Sequence, residues 1–250
     1  MKSAVFASRN IKELVREPLS WVFCIGFPMV MLLLMTVINN SIPPEAGMTL
    51  FQIKKLGPGI AIFGLTFIML FASLLVSGDR KDAFLLRVFT SPMKPWEYIL
   101  GYIMPLIALS IAQFLVTEIV SYIMGAASGT FLNIGNMLFA VVVSLPSMIM
   151  YIGFGILFGS LFSKNAAPGL CSVIISLSGM LGGIWMDVDT IGGTLADICK
   201  AMPFYHTVYS ARLAFAGDFA ASLTEAAIVL IWAVVVTVLA VVVFRKKMKF

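Results

Sequence analysis

The chain has 250 residues, 60% of them hydrophobic and only 12% charged, with a mean hydropathy of +1.03. A globular domain carries about 25% charged residues, so a soluble fold of this length has nowhere to hide so much apolar surface, and the class is all-α integral membrane. The apolar runs are continuous rather than alternating, which excludes a β-barrel, and the net charge of +5 reads as cations at one membrane face, not as a nucleic-acid footprint.

Residues 1–18 open the chain as an N-terminal amphipathic interfacial helix. Ala4, Ala7, Ile11 and Leu14 share one helical face, Arg9, Lys12, Glu13 and Arg16 the other, and Pro18 stops the helix. Such a helix either anchors the chain to the membrane surface or also meets a cytosolic partner. The charged stretch 9–17, followed by an apolar run of span length with no small-residue cleavage site, argues against a cleavable leader. A span needs ~20 apolar residues, and six stretches qualify: 19–38, 57–77, 98–124, 136–162, 166–184 and 223–244. Pro28, Pro105 and Pro146 lie inside them and predict kinks. With the N-terminus inside, thirteen lysines and arginines fall on the cytoplasmic side and four (Lys54, Lys55, Lys200 and Arg212) on the other. This bias places both termini in the cytoplasm.

Residues 79–97 form a polar cytoplasmic loop between the second and third spans. Asp79, Arg80, Lys81 and Asp82 lead into Phe84, Leu85, Val88 and Phe89 at helical spacing, with Arg87 among them, and Thr90-Ser91-Pro92 ends that helix. Pro95 sits where a missing N–H costs little, at the start of the next span. The expected product is a short helix along the membrane with a charged rim and an apolar face. A soluble protein could grip it, or it is only a membrane-hugging connector.

In the third span Ser110, Gln113, Thr117 and Ser121 recur every three or four residues and share a face, with Glu118 beside them. A charged acid at mid-bilayer costs roughly 2.5–3.5 kcal/mol, so the stripe must face a partner helix or a wet path. It is either part of a translocation route or a structural seam. Gly155 and Gly159 make a small-xxx-small surface for close helix packing, within the chain or between copies. Residues 185–222 are too apolar for a free linker and predict short helices dipping back into the outer leaflet. Cys24 and Cys171 fall inside apolar runs and Cys199 is expected to be exposed, which offers no disulfide framework or metal spacing. The single histidine, His206, reads as an interfacial residue. The sequence contains no Gly-x-x-x-x-Gly-Lys-Ser/Thr phosphate loop.

The layout resembles the membrane subunits of ABC type-2 permeases, the drug, polysaccharide and lipid exporters. The resemblance rests on the basic N-terminal helix and on Leu85-Leu86-Arg87-Val88-Phe89-Thr90-Ser91-Pro92 followed by Glu97-Tyr98-Ile99-Leu100-Gly101. It rests also on Met202-Pro203-Phe204-Tyr205 and Ala211-Arg212-Leu213 in the last outer loop. Asp82-Ala83-Phe84 departs from the Glu-Gly-Thr frequent in that family. The resemblance implies a coupling helix contributed by Arg80, Lys81, Asp82, Phe84, Leu85, Arg87, Val88, Phe89 and Pro92, and outer-loop roles for Pro203, Tyr205 and Arg212. It further implies a separate ATP-binding cassette subunit that holds ATP and Mg, a second permease copy, and residence in a bacterial cytoplasmic membrane. The expected function is export of a hydrophobic or amphipathic cargo (a drug, antibiotic or lipid-like molecule), with no cofactor in this chain. Two other classes stay open: a proton-coupled secondary transporter using Glu118, and a non-transporting membrane assembly protein.

Overall fold

The computed structural model describes residues 2–43, 49–81 and 95–247. Every regular element among them is helical. Helix α1 (Lys2–Arg16) stops before Pro18, whose ring disfavours helix at Glu17 and then starts α2 (Pro18–Ser41) at a position where no N–H is needed. Helices α3 (Ile53–Lys81) and α4 (Pro95–Ala127) follow, then α5 (Ile134–Val143) and α6 (Leu145–Leu161), which together make one apolar length. The chain continues through α7 (Ala167–Leu181), three short helices α8 (Val188–Ile191), α9 (Gly193–Ala201) and α10 (Pro203–Ala216), and the long α11 (Phe219–Lys247).

Among the described residues, five helices are long and apolar enough to cross a membrane: α2, α3, α4, α5–α6 and α11. The fifth expected span is shorter than anticipated. Residues 166–184 yield only the 15-residue α7, about 22 Å at 1.5 Å per residue against a hydrocarbon core of about 30 Å. The chain turns away at Gly182-Gly183, where Gly183 has a φ of 73° that a side chain rarely tolerates.

The three expected kink sites behave differently. Ahead of Pro28, residues Val22–Gly26 widen into a π-turn in which the Phe27 N–H bonds the Val22 carbonyl, a local adjustment that gives the proline ring room. Before Pro146 the helix breaks at Ser144, between α5 and α6. Helix α4 runs unbroken past Pro105.

Helix α3 is the axis of the bundle: 89% of its most apolar stretch is buried, against 17% for α2 and 28% for α11. It packs on α4, α6, α7 and α10, while α11 packs on α6 and α10, and α1 lies on α4. Small residues bring these backbones together. A Cβ at Gly155 would overlap the Met69 carbonyl, and one at Gly159 would lie 2.6 Å from the Ser73 carbonyl oxygen. The Gly155/Gly159 surface therefore serves α6–α3 packing inside the chain. The packed face of α1 is also not the one expected. Phe6, Ala7, Asn10 and Leu14 are buried, whereas Ala4 and Ile11 are exposed. Gly101 on α4 leaves a hollow that Phe6 fills, and this sets the rotation of α1.

Candidate functional site

Asp79 sits in the last turn of α3, two residues before its end, and is only 3% exposed. An acidic group there opposes the helix dipole and, once buried, must be paired. Arg9 supplies the pairing as a fork, with terminal nitrogens 2.8 Å and 2.7 Å from the two carboxylate oxygens. Tyr102 of α4 donates its hydroxyl to the same carboxylate at 2.7 Å. Arg9 also reaches Glu13 at 2.8 Å and the Asn10 side-chain oxygen at 2.9 Å, and Asn10 donates to the Gly101 carbonyl at 3.0 Å. Phe6 meets Tyr98 and Tyr102 edge-on, at centroid separations of 6.0 and 5.0 Å. The N-terminal helix is thus clipped to the ends of the two helices, α3 and α4, that flank residues 82–94.

Arg80 turns the other way. It donates to the carbonyls of Gly159, Ser160 and Phe162 at 2.9, 2.5 and 3.2 Å. These are orphan acceptors at the C-terminus of α6, where a cation also suits the dipole. Two consecutive residues therefore bind the end of α3 to α1 and α4 on one side and to α6 on the other. Beside them Ser77, Arg80, Lys81 and Lys164 border an open cavity of about 330 Å³.

A family model described as ABC-2 type transporter matches residues 3–216, from α1 through α10. The chain belongs to the ABC-2 type transporter family. It is the transmembrane permease of a multi-pass membrane transporter. No curated protein matches the chain in sequence. Membership implies an ATPase partner and, often, a second permease copy.

In this ABC-2 permease the residues singled out from the sequence have different fates. Asp82, Phe84, Leu85, Arg87, Val88, Phe89 and Pro92 lie outside the described residues. Arg80 and Lys81 are described: Arg80 is committed to α6, and Lys81 is exposed. On α1, Arg9 belongs to the clip, whereas Lys12, Glu13 and Arg16 are exposed. Tyr102 and Asn10 were missed as site residues, and Asp79 was read only as part of the charged lead of the loop. The available signal was a carboxylate in the last turn of an apolar helix, which needs a cation nearby.

The polar stripe on α4 is fully inside the chain. Ser110, Gln113, Thr117 and Ser121 are each 0% exposed, and the stripe is seated against glycines of α3. A Cβ at Gly57 would lie 2.7 Å from the Ser121 hydroxyl, and one at Gly64 would overlap the Gln113 amide. Ser110, Thr117 and Ser121 donate to carbonyls four residues back, and Gln113 donates to Thr117 at 3.1 Å and to the Ala61 carbonyl at 3.4 Å. Glu118 is 3% exposed, and its Oε1 has no hydrogen-bond partner among the described residues. The stripe is packed between α3 and α4.

At the far end of the bundle the expected short helices are α8, α9 and α10. Pro203 starts α10 and is buried. Tyr205 stacks on Tyr209 at 5.1 Å and donates to Asp189, which Lys200 also pairs at 3.0 Å. Burial, with Asp189 alongside, pushes the Tyr205 phenol upward. His206 bridges the Lys200 carbonyl at 2.9 Å and Glu225 of α11 at 2.5 Å. Trp185 packs on Phe63 at 5.1 Å. Cys199, expected to be exposed, is buried with Val188, Ala196 and Tyr205. Among the described residues no cluster of three or more His, Cys, Asp or Glu side chains could hold a metal.

Proposed function

We propose that the chain is the permease subunit of an ATP-driven exporter, with both termini cytoplasmic and α7 completing six passes. In this reading a separate ATP-binding cassette subunit, holding ATP and Mg, docks at residues 79–97 and α1, and a second permease copy completes the transporter in a bacterial cytoplasmic membrane. The cargo is hydrophobic or amphipathic, such as a drug, an antibiotic or a lipid-like molecule, because the spans offer few fixed charges to recognise a polar solute. Helices α8–α10 dip into the outer leaflet.

The observation that carries this reading is the Arg9–Asp79–Tyr102 clip. A push on residues 82–94 acts on the ends of α3 and α4, and the clip makes α1 move with both. ATP binding must then favour one packing of the spans over the other. The test is gentle detergent extraction of the chain from its native membranes, with partners identified by mass spectrometry. The expected result is a stoichiometric Walker-type ATPase whose hydrolysis is uncoupled from export by F84S/F89S. Recovery of the chain alone, under conditions that preserve a known ABC complex, overturns it.

Glu118 supports a second reading, a proton-coupled transporter, because a buried carboxyl with one unpartnered oxygen is the kind of group that carries a proton. That reading requires export to follow the proton gradient and to stop in E118Q. A non-transporting assembly protein requires instead that no loop variant change export.

A further inference from the structure

A cavity of about 340 Å³ lies at the end of the bundle opposite Asp79, between the start of α3 and the segment 182–216. Arg212 of α10 forms part of its wall. The guanidinium is fixed from behind, since its Nε donates to the Lys55 carbonyl at 3.1 Å. Its two terminal nitrogens have no hydrogen-bond or ion-pair partner within bonding distance among the described residues. They lie beside glycines: a Cβ at Gly183 would stand 3.8 Å from one, and a Cβ at Gly59 would stand 3.4 Å from the other. Burial disfavours the charge of this side chain and lowers its pKa, with Asp187 and Asp189 acting in the opposite direction.

Of those two carboxylates, only Asp189 has a cation partner within bonding distance among the described residues. Asp187 caps α8 by accepting the Thr190 N–H, and Asp189 is held by Lys200 and Tyr205. Lys54 and Lys55 add two more cations to the wall, and Lys55 is turned toward Thr49 by a 2.8 Å hydrogen bond. A planar, anchored fork with four free N–H groups matches two oxygens of one anion, and the three cations of the wall outnumber its two carboxylates, Asp187 and Asp189, by one.

We propose that this cavity is a binding site for a phosphate group, held bidentately by Arg212 and supplemented by Lys54. The phosphate comes either from a phospholipid headgroup at the membrane surface or from free phosphate in solution. Leu50, Val188, Leu213 and Phe215 in the same wall leave room for the apolar base of a headgroup.

The test uses the purified full-length chain in detergent. Retained phosphatidylglycerol is measured by native mass spectrometry, and binding of inorganic phosphate by calorimetry, for the unmodified chain, R212Q, R212K and K54Q. Loss of about two charge-assisted hydrogen bonds lowers affinity at least about tenfold in R212Q. R212K, a point charge without the fork, is expected between the two, and K54Q two- to threefold weaker than the unmodified chain. Arg212-dependent lipid retention identifies the headgroup as the source, and Arg212-dependent phosphate binding without lipid identifies free phosphate. If R212Q aggregates on size exclusion, R212K and K54Q decide the question. Equal binding of both ligands by every folded variant, or binding of neither by the unmodified chain, overturns the assignment.

Discussion

Removing Arg9 should release the N-terminal helix without unfolding the bundle. Arg9→Ala takes two charge-assisted hydrogen bonds from a carboxylate that is 3% exposed, leaving Asp79 with Tyr102 as its one side-chain partner among the described residues. Stripping a fully buried charge of its partner costs about 3–5 kcal/mol. Arg9 is itself 35% exposed, so water reaches the vacated position, and a cost of about 2–3 kcal/mol is expected. Most of it falls on the docking of α1, because Asn10, Phe6 and Arg9 are its polar and aromatic ties to α3 and α4. At 1.4 kcal/mol per factor of ten, the open population of α1 rises about 30- to 150-fold. Hydrogen exchange of residues 2–16, read by mass spectrometry on the protein in nanodiscs, should accelerate by that factor, while exchange in α3 stays unchanged. Asp79→Ala should do the same, and R9A/D79A should be far less than additive, with a coupling energy of about 0.5–3 kcal/mol. Additive effects, or unchanged exchange in R9A, would refute the claim that the pair holds the helix.

Arg80→Ala should lower the thermal midpoint of the solubilised chain by removing the bonds to the Gly159, Ser160 and Phe162 carbonyls. The expected cost is about 1–3 kcal/mol, and an unchanged midpoint would make the contact incidental. Gly155→Leu should be worse, because the side chain must displace the Met69 backbone rather than a flexible group. It should separate α6 from α3 at a cost of 1–3 kcal/mol or more, to order of magnitude, visible as poor extraction of folded protein. Glu118→Gln keeps the volume and removes the charge, so export in energised vesicles should persist if ATP drives it. Abolished export in E118Q with intact ATP hydrolysis would favour the proton-coupled reading.

The apolar runs were legible because lipid demands long, uninterrupted helices, and α2, α3, α4, α5–α6 and α11 each follow from one. The run 166–184 misled because composition registers apolarity but not direction: Gly182-Gly183 turns the chain after 15 residues. The spacing of Ser110, Gln113, Thr117 and Ser121 identified one face of α4, but nothing in one sequence could say that Gly57 and Gly64 are opposite. The face of α1 went astray for the same reason, since the hollow at Gly101 lies 91 residues from Asn10. Of the candidate site, the flanks of residues 82–94 were recognised as important from their charge. The role of each charge was not, because pairing across 70 residues depends on how α1, α3 and α4 meet.

Asp79, Arg80 and Lys81 read along the chain as a block of charge, but only the last of them is offered to the solvent. The first two are spent inside the molecule, on α1 and on α6. Among the described residues, the charges in view at this end include Lys12, Arg16, Lys81, Lys164, Arg245, Lys246 and Lys247, together with Glu13 and Glu17. A protein approaching from this side meets that pattern, at separations where salt matters: the screening length is about 8 Å at 0.15 M ionic strength. Encounter with a docking partner should therefore weaken as salt rises, while the buried fork between Arg9 and Asp79 does not. The charges open to an approaching partner and the charges that hold α1 in place are different residues, and ionic strength separates them.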